Sequence, residues 1–326
     1  MDSKTNRTIT IGGDTVVPGE DRLLRIPIDR LPTGTLIDIP VYVFNAQNPG
    51  PTLLIQAGLH GDEINGIEIV RRSIHEKRFS LQAGAVIAVP TLNVFGFIHF
   101  SRDVPDGKDI NRSFPGSKRG SLARRIAYHH VTEIMHQMDF AIDLHTGGAQ
   151  RHNYPQIRYT DKDEKSMQLA TIFNPPIAFA SGLIKGSFRS MAYRMRKPVV
   201  VYEAGESMRF DNFAIAQGMR GIQNVLQHFQ MIPQSSKNPV AGRPTLFLEG
   251  RKWLRAPTAG IFIPRIIPGG EVKKGQPLGL VTDINGSHTK KIKAPFEGHV
   301  ICVNHQAVVN QGDALFHLGT SHPTGS

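Results

Sequence analysis

The chain has 326 residues, 40% hydrophobic and 20% charged, which is typical of an ordinary soluble protein with a full core and room for a second, smaller domain. Its net charge of +11 favours an anionic partner, but the basic residues are scattered and not interleaved with aromatic ones, so we expect no nucleic-acid partner. The N-terminus is polar and no apolar run is long enough to span a membrane, so we expect no membrane contact. The single cysteine, Cys302, has no partner for an intramolecular disulfide and suits a reducing compartment, so we expect a cytoplasmic protein.

The first ninety residues predict a hairpin followed by a β-α-β unit. Residues 22–28 and 36–44 are strand-like and are separated by Pro and Gly, which favours edge strands or a hairpin within residues 1–50. The apolar run at residues 52–58 predicts a buried strand. It precedes a predicted helix over residues 65–75 and another strand from residue 85.

The middle of the chain continues this alternation of helices and strands. Ser121 is expected to cap a helix that leads to a strand at residues 140–144, and a further helix precedes a buried strand at residues 198–203. The first of these helices carries histidines that we expect at the surface: His129, His130 and His136. The alternation predicts an α/β fold with a mainly parallel sheet that is covered by helices on both faces.

The composition changes after residue 234, where Ser, Asn, Pro and Gly give way to short strands with frequent turns. We therefore predict two domains, an α/β domain at residues 1–234 that includes the N-terminal strands, and an all-β domain at residues 235–326. Similar Ala-Pro-x-x-Gly segments at 256–260 and 294–298 indicate a small sandwich of two related halves, similar to biotinyl/lipoyl-type barrel-sandwich domains. The hairpin at 282–289 lacks a carrier lysine at its tip, so we expect no lipoylation and interpret this domain as a scaffold, an assembly element or a lid.

Two strand ends carry candidate metal ligands. His60 and Glu63 follow the apolar run at an i, i+3 spacing that lets both side chains reach one metal, and His145 follows the strand that begins at Phe140. Two histidines and a carboxylate with an open fourth position are typical of catalytic zinc, where a water can become the nucleophile. Asp143 lies two residues before His145 and could orient its imidazole.

The alternative is a solvated histidine near a helix-start carboxylate, which is the commoner origin of an isolated His-x-x-Glu. The position of both histidines argues against it, because open α/β sheets bind their ligands at the carboxyl ends of strands.

Two more motifs complete a pattern that resembles a known family. Arg102 precedes the segment Asp109-x-Asn111-Arg112, and the strand at 198–203 ends in Tyr-Glu-x-Gly. With the motifs around His60 and His145, nearly the whole chain resembles the succinylglutamate desuccinylase/aspartoacylase family, relatives of the zinc carboxypeptidases. The resemblance implies a zinc-carboxypeptidase-like α/β fold, with a mixed, largely parallel sheet flanked by helices and a smaller C-terminal all-β barrel-sandwich-like domain.

The resemblance also implies roles for individual residues. The implied ligands of one Zn²⁺ per chain are His60, Glu63 and His145. Glu203 matches the catalytic glutamate, with Glu206 as the alternative, and Arg102 matches the arginine that polarises the scissile carbonyl. Asn111 and Arg112 match the pair that grips a substrate carboxylate, although a helix-start cap and a surface salt bridge could also explain them.

The implied reaction is hydrolysis of the amide bond in a small, carboxylate-bearing N-acyl amino acid, by an enzyme that we expect to be a homo-oligomer. The chain lacks a Tyr after Tyr202, whereas aspartoacylase binds its substrate with a C-terminal tyrosine, and the interval from Arg102 to Asn111 is longer than in aspartoacylase. The acyl-group preference of aspartoacylase therefore cannot be assigned to this chain. The layout looks more like the bacterial branch that includes diaminobutyrate deacetylases. The alternatives are a zinc carboxypeptidase acting on short peptides and a non-catalytic binding protein of the same fold.

Overall fold

The structure is a computed structural model that describes residues 5–234 and 244–321. The strands up to residue 234 are β1 (Ile9–Ile11), β2 (Asp14–Val16), β3 (Asp21–Arg30), β4 (Leu36–Asn45), β5 (Asn48–Gln56), β6 (Ala83–Val89), β7 (Phe140–Gly147), β8 (Arg151–Thr160), β9 (Ile177–Ser181) and β10 (Val199–Glu206). The helices are α1 (Ile64–His75), α2 (Val94–His99), α3 (Leu122–His129), α4 (Glu164–Phe173), α5 (Phe188–Arg194) and α6 (Asn212–His228).

The remaining strands lie in the C-terminal region. They are β11 (Leu246–Phe247), β12 (Gly250–Arg255), β13 (Gly260–Pro264), β14 (Glu271–Val272), β15 (Pro277–Thr282), β16 (Thr289–Lys293), β17 (Gly298–Asn304), β18 (Val308–Val309) and β19 (Ala314–Thr320). No helix within the described ranges is long and apolar enough to cross a bilayer.

One large mixed sheet organises the molecule, with strand order β12-β19-β17-β8-β10-β7-β5-β6-β4-β3. Its central strands β10, β7, β5 and β6 are parallel, and β5, α1 and β6 form the predicted β-α-β unit. The hairpin of β3 and β4 joins antiparallel at one side, and β8 joins antiparallel at the other. The predicted α/β architecture is confirmed, with parallel pairing concentrated in the middle of the sheet.

Helices cover both faces of this sheet because the central strands are apolar on both sides. Along β5, Leu54 packs into one core with α2, α3 and α5, whereas Leu53 and Ile55 pack into the opposite core with α1, α4 and α6. All three side chains are fully buried. Each contributes about 1.5–3 kcal/mol relative to an exposed side chain.

The helix after Ser121 differs from its prediction in two respects. Ser121 occupies the N-cap position, but its hydroxyl makes no capping hydrogen bond, and α3 continues into a π-helical turn at His130–Met135. The surface prediction is wrong for His130, which is fully buried with Nε2 2.6 Å from Gln56 Oε1, whereas His136 is exposed and His129 half-buried. An adjacent buried amide lets an imidazole enter a core that sequence periodicity assigns to apolar residues.

The C-terminal strands form a second antiparallel sheet and also extend the large one. Strands β16, β15, β13 and β18 make a four-stranded sheet, which confirms an all-β C-terminal region. However, β17 pairs with β8 through Cys302 and Asn153, and β11 pairs with β9. The predicted boundary after residue 234 adjoins residues 235–243, which lie outside the described residues, and the division into two domains stays a prediction.

Candidate active site

A cavity of about 490 Å³ lies at the carboxyl ends of the central parallel strands, the edge where open α/β sheets bind ligands. Its volume falls within the usual range for small-molecule sites. The alternative acid Glu206 lies outside the cavity wall, which includes the seven residues that the sequence assigned to metal binding, catalysis and substrate binding: His60, Glu63, Arg102, Asn111, Arg112, His145 and Glu203. These residues are up to 143 positions apart in sequence, and the order of the strands brings them together.

A tight bend between β5 and α1 carries the first two candidate ligands. The backbone N–H of Glu63 donates to the carbonyl of His60, and the N–H of Gly61 donates to the carbonyl of Ser101. A Cβ on Gly61 would lie 1.9 Å from the carbonyl carbon of Gly96, so only glycine lets the bend pack this closely against α2. The bend turns His60 and Glu63 into the cavity just before α1 begins.

The Glu63 carboxylate lies between the two imidazoles. Its Oε1 is 2.6 Å from His60 Nδ1, and its Oε2 is 2.8 Å from His145 Nδ1. The backbone N–H of Thr146 also donates to Oε2, at 3.0 Å. All three side chains are buried, and one possible ligand atom from each lies within 4.8 Å of the others.

Each imidazole presents its other nitrogen to an aspartate. His145 Nε2 is 2.9 Å from Asp143 Oδ2, and His60 Nε2 is 3.3 Å from Asp109 Oδ1. A proton held on Nε2 by a carboxylate leaves the Nδ1 lone pair free for a metal, which is the usual arrangement around metal-bound histidines. The sequence analysis identified Asp143 for this position and missed Asp109.

The electrostatics of this trio suit a divalent cation. Burial alone would raise the pKa of Glu63, but His60 and His145 outweigh it and hold that pKa below its usual range. For His145, burial lowers the pKa, but Asp143 and Glu63 raise it well above the ordinary value. An ionised carboxylate between two imidazoles with outer carboxylates therefore offers a charged, preorganised donor set, and it fits Zn²⁺ in ligand type and number.

Glu203 lies on β10 beside this trio, with its side chain 14% exposed. Neighbouring strand β8 supplies both of its partners, because Asn153 Nδ2 donates to Oε2 at 2.9 Å and Arg158 Nη1 is 3.1 Å from Oε1. Glu206, the alternative acid, does not belong to the cavity wall and instead contacts His305. The pairing of β10 shifts register between Glu203 and Glu206, which separates the two carboxylates.

Arg102 reaches the trio from the loop after α2. Its Nη2 donates to Asp109 Oδ2 at 2.9 Å, and its Nη1 is 3.6 Å from Glu63 Oε1. Burial lowers the pKa of Arg102, but Asp109 and Glu63 raise it by more, so the guanidinium stays charged beside the trio. A fixed cation in this position can stabilise a developing oxyanion.

The predicted substrate-binding pair follows Asp109 on a 3₁₀ turn. Asn111 Oδ1 accepts a hydrogen bond from the backbone N–H of Phe188, which fixes the amide at the cavity wall. Arg112 donates from Nη1 to the carbonyl of Asn111 and is 3.9 Å from Asp109 at its closest, so its guanidinium remains partly exposed within the cavity.

Arg189 on α5 is a site residue that the sequence analysis missed. It is 8% exposed and donates to the carbonyls of Tyr159 and Gly182, and it forms no ion pair with any residue in the described part of the chain. Burial lowers its pKa to about 10. A buried guanidinium without a carboxylate partner is costly, so a ligand carboxylate would stabilise it. No motif surrounds this arginine, and only the fold brings it to the cavity.

The C-terminal strands complete the cavity wall. Trp253 and Arg255 on β12 and Asp313 and Ala314 near the start of β19 face the site. Arginines outnumber carboxylates in the wall. It carries six arginines, Arg102, Arg112, Arg151, Arg158, Arg189 and Arg255, and four carboxylates, Glu63, Asp143, Glu203 and Asp313. A cavity of this kind favours an anionic ligand.

Comparison with known proteins adds independent evidence. The family model of the succinylglutamate desuccinylase/aspartoacylase catalytic domain matches residues 49–229. N-alpha-acetyl-L-2,4-diaminobutyric acid deacetylase from Halomonas elongata is 27% identical over 328 residues, which covers 96% of this chain and 94% of that enzyme.

Solved structures show the same fold. The crystal structure of a succinylglutamate desuccinylase/aspartoacylase from Rhodobacter sphaeroides is 25% identical with a TM-score of 0.82, covering 98% of this chain and 100% of that one. The product-bound ectoine utilization protein EutE (DoeB) from Ruegeria pomeroyi is 23% identical with a TM-score of 0.80, covering 92% and 95%. At that identity the second likeness concerns the fold alone.

Proposed function

Because this chain belongs to the succinylglutamate desuccinylase/aspartoacylase family, we propose that it is a zinc-dependent hydrolase of the amide bond in small N-acyl amino acids. The observation that carries the proposal is the Glu63 carboxylate between the Nδ1 atoms of His60 and His145, with an aspartate at each Nε2. We also propose that the protein is cytoplasmic and forms a homo-oligomer, as expected from the sequence.

His60, Glu63 and His145 would hold the metal. Zinc in a site of this type lowers the pKa of a water molecule to about 7 and polarises a carbonyl group. Asp143 and Asp109 keep the two imidazoles in the ligating tautomer, and the N–H of Thr146 holds the Glu63 carboxylate in place.

Glu203 is the proposed proton carrier. It would take a proton from the attacking water and deliver it to the nitrogen of the leaving amine. Asn153 and Arg158 contact its two oxygens from β8 and fix the orientation of the carboxylate.

Arg102 would stabilise the oxyanion that forms when the amide carbonyl becomes tetrahedral. Its guanidinium is already held beside the trio by Asp109, so little reorganisation accompanies the reaction.

The substrate is proposed to carry at least one carboxylate. Arg112 and Asn111 would bind it at the cavity wall, and Arg189 offers a buried cation for the same group or for a second one. Trp253 and Arg255 of the C-terminal strands line part of this cavity, and a confined cavity would favour a small N-acyl amino acid over the extended chain of a peptide.

Release of free amine from a panel of compounds tests this function. The panel contains N-acetyl, N-succinyl and N-formyl derivatives of acidic, neutral and basic amino acids, including N-α-acetyl-2,4-diaminobutyrate, with short peptides for comparison. We expect the zinc-loaded protein to hydrolyse at least one N-acyl amino acid and the His60→Ala variant to hydrolyse none. Hydrolysis of peptides alone would replace this proposal with a carboxypeptidase, and a zinc-loaded protein inactive on the whole panel would contradict it.

A further inference from the structure

A second cluster of possible metal ligands lies where the C-terminal strands meet the catalytic part of the sheet. Its members are His152 on β8, Glu206 at the end of β10 and His305 just after β17. One possible ligand atom from each lies within 4.8 Å of the others. None of the three belongs to the wall of the catalytic cavity, so this cluster is separate from the first trio.

The contacts within the cluster hold its possible metal ligands close together. His305 Nδ1 is 2.7 Å from Glu206 Oε2, and the His152 ring lies 5.5 Å from the His305 ring, measured between centroids. Within the described residues, His305 is the single side-chain partner of the Glu206 carboxylate. Two imidazoles around one such carboxylate are a donor set that suits Zn²⁺ and related transition metals.

An outer carboxylate completes the arrangement. Asp211 Oδ2 is 3.0 Å from His152 Nε2, and Asp211 is itself fixed because its Oδ1 caps the first turn of α6. A carboxylate that holds the proton on one ring nitrogen leaves a lone pair on the other nitrogen. The same outer contact occurs at His60 and His145 in the catalytic cavity.

The position of the cluster would let an ion enter from solvent and link two strands of the sheet. The side chains of His152 and His305 are 31% and 36% exposed, so an ion can enter from solvent, whereas Glu206 is nearly buried. The backbone N–H of His305 donates to the carbonyl of Gln150, which anchors the residue beside β8. An ion here would connect β17 to β8 and to the strand that carries Glu203.

We propose that His152, Glu206 and His305 form a second, structural site for a divalent transition metal of the zinc type, which joins the C-terminal strands to the hydrolase sheet. The site does not depend on the chemistry proposed for the first trio. A bound ion would stabilise the folded chain by an amount that grows with the logarithm of the free zinc concentration above the dissociation constant, since the three ligands come together only in the folded state.

The test is zinc stoichiometry. Metal-free protein is titrated with Zn²⁺ against a chromophoric chelator, and the number of equivalents bound is compared among wild type, His305→Ala, His152→Ala and His288→Ala. His288 is the matched control, because it is an exposed histidine beside a carboxylate, Asp283, and lies outside both clusters. Circular dichroism verifies that each variant is folded.

We expect His305→Ala and His152→Ala each to bind one equivalent fewer than wild type, and His288→Ala to match wild type. Zinc should also raise the unfolding temperature of the two cluster variants by less than it raises that of His288→Ala. The test measures the difference in bound zinc between each variant and wild type, so its result does not depend on whether the catalytic trio binds zinc. Equal stoichiometry in all four proteins, or the same loss in the control, would overturn the proposal; if His305→Ala does not fold, His152→Ala decides.

Discussion

Glu203 is the residue whose contacts bear most directly on the role proposed for it. It is the carboxylate of β10 that faces the catalytic cavity, and Asn153 and Arg158 hold both of its oxygens. A glutamine would keep the shape and the contact to one partner but could not accept a proton.

We therefore expect Glu203→Gln to keep the zinc content of wild type and to lose about 10²–10⁴-fold in kcat, the usual contribution of a general base. Zinc content and steady-state rates are measured on the same preparation. Glu68→Gln is the control, because Glu68 is also paired with arginines but lies on α1 outside the cavity. If Glu203→Gln keeps full turnover, the base is a different residue and the role proposed for Glu203 is contradicted.

The sequence predicts the site residues that belong to recognisable motifs. It misses single residues that only the tertiary structure brings to the cavity. His60 and Glu63 are three positions apart, so their spacing is sufficient, whereas Asn111 and Arg112 were identified through the resemblance to the family. Arg189 has no motif around it and reaches the cavity only because α5 packs beside β10. The position of a residue in the cavity does not establish its function, and the roles assigned to Glu203, Arg102 and the pair Asn111 and Arg112 stay predictions.

At the level of elements, continuous apolar runs identified the central strands, which are buried on both faces, and the spacing of apolar residues identified α1. Helix α1 begins at Ile64, one residue from its prediction. The pattern could not reveal that β8 runs antiparallel to β10 or that β17 then pairs with β8. Those pairings depend on contacts between distant segments, which local propensity does not encode.

Strand β19 contains a buried titratable group that couples stability to pH. The His317 ring stacks on Trp253 of β12 with centroids 4.5 Å apart, and burial, together with Arg158 and Arg251, lowers its pKa to about 3. Its pKa in the unfolded chain is near 6.5. The unfolded state therefore binds more protons between these values, and stability falls as the pH drops from about 6.5 toward 3.

We expect His317→Phe, which keeps an aromatic ring against Trp253, to remove this part of the pH dependence. Between pH 7 and pH 5 the wild type should lose about 2 kcal/mol more free energy of unfolding than the variant. Urea unfolding of both proteins at the two pH values measures the difference. A parallel loss in both proteins would show that His317 does not titrate in this way.

At the scale of the whole molecule, the C-terminal strands are part of the catalytic architecture. They extend the large sheet through β17 and supply Trp253, Arg255 and Asp313 to the cavity wall. This region therefore helps to shape the cavity, in addition to any part it takes in assembly. The basic cavity wall agrees with the net charge of +11 and with a carboxylate-bearing substrate.

The proposed function requires that His60, Glu63 and His145 bind a catalytic zinc. The most direct measurement is amide hydrolysis by one preparation before chelation, after removal of its metal and after return of Zn²⁺, with His60→Ala treated in parallel. We expect wild-type turnover to disappear with the metal and to return with zinc, and we expect His60→Ala to stay inactive throughout. Turnover that persists in the metal-free protein, or full activity in His60→Ala, would contradict it.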